Sequence, residues 1–142
     1  MTSQIRTATD GDASALATLL EQLGHPATPE RILSRLARMA NEAGQHVLVA
    51  ELEGTVVGLA TVWIRHLITA DTPLARIGSL VVDDARRSQR IGRQLVTAAE
   101  TIAREAGCDR IEVTSGEHRT RAHDFYRALG YEERPRRFVK RL

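Results

Sequence analysis

Between Leu80 and Leu95 the chain passes from an apolar segment, Leu80-Val81-Val82, through a polar, basic stretch, residues 83–89, into an amphipathic segment that opens at Arg90 and Ile91. No other feature constrains the fold as much. A strand must feed a helix across a short loop, and Arg86, Arg87, Arg90 and Arg93 lie in or beside that loop. The first turn of a helix exposes amide hydrogens without intrahelical acceptors and carries the positive end of the dipole, so a phosphate or pyrophosphate suits it. Gly92 would let such a ligand come close to the backbone. The alternative is a strand-to-helix loop with solvated arginines. Two common phosphate loops are absent: there is no G-x-x-x-x-G-K-S/T run, and no G-x-G-x-x-G follows a strand.

The rest of the chain organises around this junction. Residues 4–8 read as a short strand with Ile5 facing in. Asp10 and Asp12 offer caps to a helix whose face is Leu16, Leu19, Leu20 and Leu23, stopped by Gly24. Thr28-Pro29 opens a second helix with Ile32, Leu33, Leu36 and Met39 on one side, closed by Gly44. Residues 46–52 and 55–65 form a hairpin about Glu53-Gly54, and residues 75–82 form a further strand. The long helix, residues 90–106, has the stripe Ile91, Leu95, Ala98, Ile102 and Ala106 and stops at Gly107. A strand at 110–114, a short helix carrying Ala122, Phe125, Tyr126 and Leu129, and a closing strand at Phe138-Val139 complete the pattern. This order predicts one α/β (α+β) domain over residues 1–142, with a mixed sheet and helices on both faces.

Composition narrows the class. With 42% hydrophobic and 27% charged residues, the 142-residue chain can bury a core. No apolar run approaches the roughly 20 residues of a membrane span, so no membrane partner is expected. The polar start MTSQIRTATD lacks the apolar stretch of a secretory leader, and Cys108 stands alone. A cytoplasmic setting is therefore expected. His25, His46 and His66 lack i, i+4 spacing, so no metal is predicted. A second basic cluster, Arg134, Arg136, Arg137, Lys140 and Arg141, has Phe138 as its lone aromatic, too little for a nucleic-acid stacking platform.

The loop resembles the R-x-x-G-x-G/A signature of the GNAT N-acetyltransferases, with Arg87, Arg90 and Gly92 at its first, fourth and sixth positions. Residues 122–131, Ala-His-Asp-Phe-Tyr-Arg-Ala-Leu-Gly-Tyr, resemble the A-x-x-F/L-Y-x-x-x-G-F/Y helix and strand of the same family. The resemblance extends over the whole chain, and two motifs at the proper separation are more specific than either alone. Arg90 departs from the pattern by standing where a glycine is usual, and Ser88 stands where glycine is often seen. The resemblance implies a sheet of about six to seven strands flanked by about four helices. It also implies acetyl-CoA as cosubstrate and a homodimer.

It further implies roles for particular residues. Two parallel strands, 75–82 and 110–114, are expected to splay around the pantetheine arm, paired by backbone groups at Leu80, Val81 and Val82. Arg87, Ser88, Gln89, Arg90, Ile91, Gly92 and Arg93 would hold the pyrophosphate, with Arg119 and Tyr126 completing the cofactor set. Tyr126 matches the tyrosine that protonates the leaving thiolate, its alternative being a core aromatic at helical spacing. The family's frequent glutamate on the fourth strand is missing, since residues 75–79 read Ala-Arg-Ile-Gly-Ser. Glu112, His118 or Asp71 could serve as base, or the amine could arrive neutral. Trp63 reads as a packed aromatic, with the acceptor pocket as its alternative. The last third, including Thr114-Ser115, Arg119 and Arg137-Phe138-x-Lys140, is similar to aminoalkylphosphonate acetyltransferases. A small-molecule amine is the expected acceptor. Aminoglycosides, protein N-termini or lysines, and a cofactor-binding sensor or nucleic-acid accessory without turnover, are the alternatives.

Overall fold

The computed structural model describes residues 3–114, 120–134 and 137–142, with the side chains of all of these but 88, 89 and 120. Strand β1 (Gln4–Thr7) leads through a 3-10 turn (Asp10–Asp12) into α1 (Ala13–Leu23) and α2 (Pro29–Ala40). Strands β2 (Gln45–Leu52), β3 (Thr55–Arg65) and β4 (Leu74–Val82) follow. A second 3-10 turn (Asp84–Gln89), α3 (Ile91–Glu105), β5 (Ile111–Val113) and α4 (Thr120–Ala128) complete the order. The sheet runs β1-β2-β3-β4-β5, antiparallel up to β4 and parallel between β4 and β5.

The local signals act largely as expected. The Thr28 side chain accepts from the Arg31 amide with Pro29 at the first helical position, and Gly24 ends α1 in the left-handed conformation. Asp12 works differently from a forward cap. Its Oδ2 accepts from the Thr9 amide at 2.7 Å, while Arg6 donates to both carboxylate oxygens at 2.8 and 2.9 Å. These bonds, the Arg6 pair foremost, hold the Asp12 carboxyl below the usual carboxylate range and tie β1 to the start of α1.

Strand alternation sends side chains to two helical layers. Val49, Leu59 and Val81 join Leu16, Leu19 and Ile32 beneath α1 and α2. On the other face Leu48, Ala50, Val57 and Ala60 join Ile91 and Leu95, while Val62 and Ile77 join Val96, Ala99 and Tyr126. Burying Ile91, Leu95 and Val96 contributes roughly 1.5–3 kcal/mol apiece, enough to fix α3 against the sheet.

Three expectations need correction. The sheet has five strands among the described residues, not six to seven. Phe138 and Val139 form no strand; they are 92% and 73% exposed, two β-formers among charged neighbours with no strand alongside them among the described residues. The buried stripe of α3 is Ile91, Leu95, Val96, Ala99 and Ala103, whereas Ala98 and Ile102 are half-buried and Ala106 is exposed. Close approach to the sheet selects the small Ala99 and Ala103 over the larger Ile102.

Candidate active site

The β4–β5 ladder is short. Its rungs are Ala75 with Ile111, Arg76 with Glu112 and Ile77 with Val113, and there β5 ends. Strand β4 runs on to Val82, held on its other side by β3 through Thr61/Ser79, Ala60/Leu80, Leu59/Val81 and Gly58/Val82. One edge of Ser79–Val82 thus lacks a strand neighbour among the described residues, and its backbone groups can accept an extended ligand as an added strand would. The end of the ladder coincides with a β-bulge. Val62 pairs with Ile77 and Thr61 with Ser79, leaving Gly78 as the extra residue. A bulge bends its strand and increases local twist, so β4 changes course at the point where its pairing with β5 stops.

At the far end of this open edge stands the N-terminus of α3. The Asp83 amide donates to Val57 O at 2.8 Å and anchors the loop to the sheet. The 3-10 turn then brings Arg90 into the left-handed region, at φ 59° and ψ 19°. That backbone favours glycine, which explains why a glycine is usual there and makes Arg90 a strained substitute. Gly92 has a different reason. A Cβ on it would lie 3.3 Å from Phe125 Cζ and 3.7 Å from Val82 Cγ2, so its bareness admits the α4 aromatic beside β4.

A cavity of about 600 Å³ opens beside this loop, lined by Gln22, Asp84, Ala85, Arg87 and Arg121. Gln22, at the end of α1, clamps the loop: its Nε2 donates to Asp83 Oδ1 at 3.2 Å and its Oε1 accepts from the Asp84 amide at 3.0 Å. Arg87 pairs with Asp84 at 2.6 Å. Arg121, not singled out by the motif, joins Arg87 on the cavity wall. Nothing in a single sequence separates it from Arg119, two residues earlier. His118 and Arg119 lie outside the described residues, and Ser88 and Gln89 contribute backbone only.

Tyr126 is buried on α4, in the cluster that contains Ile77, the last residue of β4 in the β4–β5 ladder. Its ring meets Phe125 and Tyr131 edge to face, at centroid distances of 5.1 and 5.7 Å. Tyr131 donates to Glu100 Oε2 at 2.8 Å, and burial first, then that carboxylate, push its phenol above the ordinary tyrosine range. Tyr131 therefore holds its proton firmly. Burial likewise pushes the Cys108 thiol up, as befits a packing residue.

On the opposite face of the sheet, the Arg76/Glu112 rung carries an ion pair, Nη2 to Oε2 at 2.6 Å. Trp63 is Arg76's neighbour on β3. The guanidinium carbons of Arg65 and Arg76 lie 4.1 and 5.1 Å from its ring centroid. Glu112 is the one carboxylate on β4 and β5. Asp71 lies exposed in the loop before β4.

This arrangement of open strand edge, basic loop and helix N-terminus accompanies a direct match: residues 14–131 fit the model of the acetyltransferase (GNAT) family. The chain belongs to that family. It is 31% identical over 140 residues to the aminoalkylphosphonate N-acetyltransferase of Salmonella typhimurium, across 98% of this chain and 91% of that protein. It is 32% identical over 136 residues to the aminoglycoside N(6')-acetyltransferase type 1 of Stenotrophomonas maltophilia, across 93% of this chain and 88% of that one. Among solved structures, a transcriptional regulator from Bacillus halodurans matches with a TM-score of 0.90 at 25% identity, covering 99% of each chain. This GNAT protein is an acetyl-CoA-dependent acyltransferase of the kind that acetylates amines. Of the described residues, no helix is long and apolar enough to cross a membrane.

Proposed function

We propose that residues 1–142 act as one N-acetyltransferase domain that moves the acetyl group of acetyl-CoA directly onto a primary amine of a small molecule within a ternary complex. The observation that carries this reading is the edge of β4 left open beyond the β4–β5 ladder, which leads towards the N-terminus of α3. It offers an unpaired strand edge for an amide-bearing arm and helix amides for a pyrophosphate, in one line. Backbone groups of Leu80 and Val82 receive the arm, with Val81 turned into the core. The loop from Arg87 to Arg93 receives the phosphates, and Arg121 joins Arg87 in supplying positive charge.

The thioester brings the acyl group already activated, so this chain orients it and handles two protons. Tyr126, in the cluster beside the end of the ladder, donates a proton to the departing thiolate. Glu112 takes the proton of the attacking amine; Arg76 grips its Oε2 and leaves Oε1 open among the described residues. This gives the missing β4 carboxylate a substitute from the neighbouring strand.

The test is free-thiol release from acetyl-CoA by purified protein across a panel of amines, with Tyr126→Phe alongside. Amine-dependent release is expected, with kcat falling about 10²- to 10⁴-fold in the variant. If no amine raises release above background while acetyl-CoA still binds, a sensor without turnover replaces the transferase. Release unaffected by Tyr126→Phe removes that residue's acid role.

A further inference from the structure

Arg65 ends β3 as an exposed residue whose guanidinium rests 4.1 Å from the Trp63 ring centroid. Among the described residues it has no ion pair or hydrogen bond to any acidic group. Its neighbour over the same ring, Arg76, is committed to Glu112. Arg76 Nε is buried without a hydrogen-bond partner, so fold stability alone does not account for holding this arginine here. A guanidinium held over an aromatic ring loses freedom while its N–H donors stay available to a planar or tetrahedral oxyanion.

Position gives this guanidinium its meaning. Trp63, Arg76 and Glu112 occupy one line across β3, β4 and β5, next to the last rung of the β4–β5 ladder. Arg65 is two residues along from Trp63 and so shares its face of the sheet. At one end of this line is a carboxylate suited to an ammonium, and at the other an unpaired guanidinium suited to an acid group. A polycation would meet two guanidiniums at that second end.

We infer that the Trp63–Arg65 stack is the subsite for the acidic group of the acceptor, so that the substrate is a small zwitterion, an amine joined by a short chain to a carboxylate or phosphonate. This deepens the acetyltransferase reading and rests on it. Arg65 sets specificity, Trp63 positions it, and Glu112 faces the amine.

The experiment compares aminoethylphosphonate, β-alanine, ethylamine and spermidine on wild type, Arg65→Ala, Arg65→Lys and Arg65→Glu. The ratio of kcat/KM for the two acidic amines to that for ethylamine should drop about ten- to a hundredfold in Arg65→Ala, chiefly through KM. Arg65→Lys should fall between, because an ammonium does not reproduce the stacked fork. Arg65→Glu should shift preference towards spermidine. Calorimetric binding of aminoethylphosphonate in the presence of coenzyme A supplies a readout independent of turnover. Loss of that binding in Arg65→Ala supports the subsite even if no amine is acetylated, an outcome that would sink the transferase reading alone. Binding and specificity ratio unchanged in Arg65→Ala overturn the subsite.

Discussion

Gly58 joins the sheet to the helix that carries the candidate phosphate loop, and Gly58→Ala should disturb both. A Cβ there would lie 3.0 Å from Leu95 Cδ1, 3.2 Å from Ile91 Cγ2 and 3.3 Å from the Ala50 Cβ. Leu95, Ile91 and Ala50 are 0%, 1% and 0% exposed, so none can swing into solvent. Overpacking of this kind costs about 1–3 kcal/mol. Replacing glycine recovers about 0.4–1 kcal/mol through the unfolded chain. The net is a loss of about 1–2 kcal/mol, or about 3–7 °C in Tm for a chain of this length, read by thermal denaturation under circular dichroism. Because Ile91 and Leu95 lie in the first turns of α3, relief by moving the helix should also raise KM for acetyl-CoA. The cause can be isolated with Leu95→Ala, which removes the nearest obstructing atoms. In that background Gly58→Ala should be neutral or stabilising, a coupling of about 1–3 kcal/mol. A Gly58→Ala protein as stable as wild type, or equally destabilised with and without Leu95, refutes the reasoning.

Three further outcomes follow from the same contacts. Asp12, held below the ordinary carboxylate range chiefly by Arg6, contributes stability that is present above its unfolded value of about 4 and lost as pH falls through the lower folded value. Urea midpoints of wild type should decline in acid, and Asp12→Asn should start lower at neutral pH and lose most of that decline; parallel curves would refute the linkage. Arg90→Gly relieves the left-handed backbone and should raise stability by up to about 1 kcal/mol, while KM for acetyl-CoA rises because a candidate phosphate ligand is gone. A KM for acetyl-CoA that is unchanged or lowered in the Arg90→Gly protein would show that Arg90 is not held for the cofactor. Gly44→Ala would place a Cβ 2.5 Å from Ile64 O at φ +86°, and should lose about 3 kcal/mol or more in urea denaturation; a loss below about 1 kcal/mol would show that the β2–β3 edge yields freely.

The fold was legible wherever a local rule was strong. Thr28-Pro29 marks its helix start, Gly24 its helix stop, and Glu53-Gly54 its hairpin, because each is fixed by a few neighbouring atoms. What the sequence left out depends on distant partners. The phase of the α3 stripe is decided by how closely the sheet approaches, which favours Ala99 and Ala103 over Ile102. Leu33 shares the apolar pattern of α2 yet is 38% exposed, since that helix contacts mainly α1 and β2, not the centre of the sheet. The strand expected at Phe138-Val139 fails for the same reason: β-propensity without a neighbour makes no ladder.

The site divides along the same boundary. Its candidate phosphate-binding half is written in consecutive residues, so strand, basic loop and helix start could be read directly from residues 80–95. Its proposed acceptor half is assembled by register. Trp63, Arg76 and Glu112 are far apart in the chain and become neighbours only because β3 pairs antiparallel and β5 parallel with β4. A one-residue slip in either pairing would turn Arg76 or Glu112 to the opposite face and dissolve the line. The bulge at Gly78 matters for this reason. It brings Leu80 and Val82 onto the α3 face although Arg76 lies on the opposite face beside Trp63, so one strand can serve α3 at its far end and the Trp63 platform at its near end. If the proposed acceptor subsite holds, substrate choice in such a chain is encoded in pairing register more than in motif, and proteins sharing the loop would differ in acceptor through the residues facing Trp63.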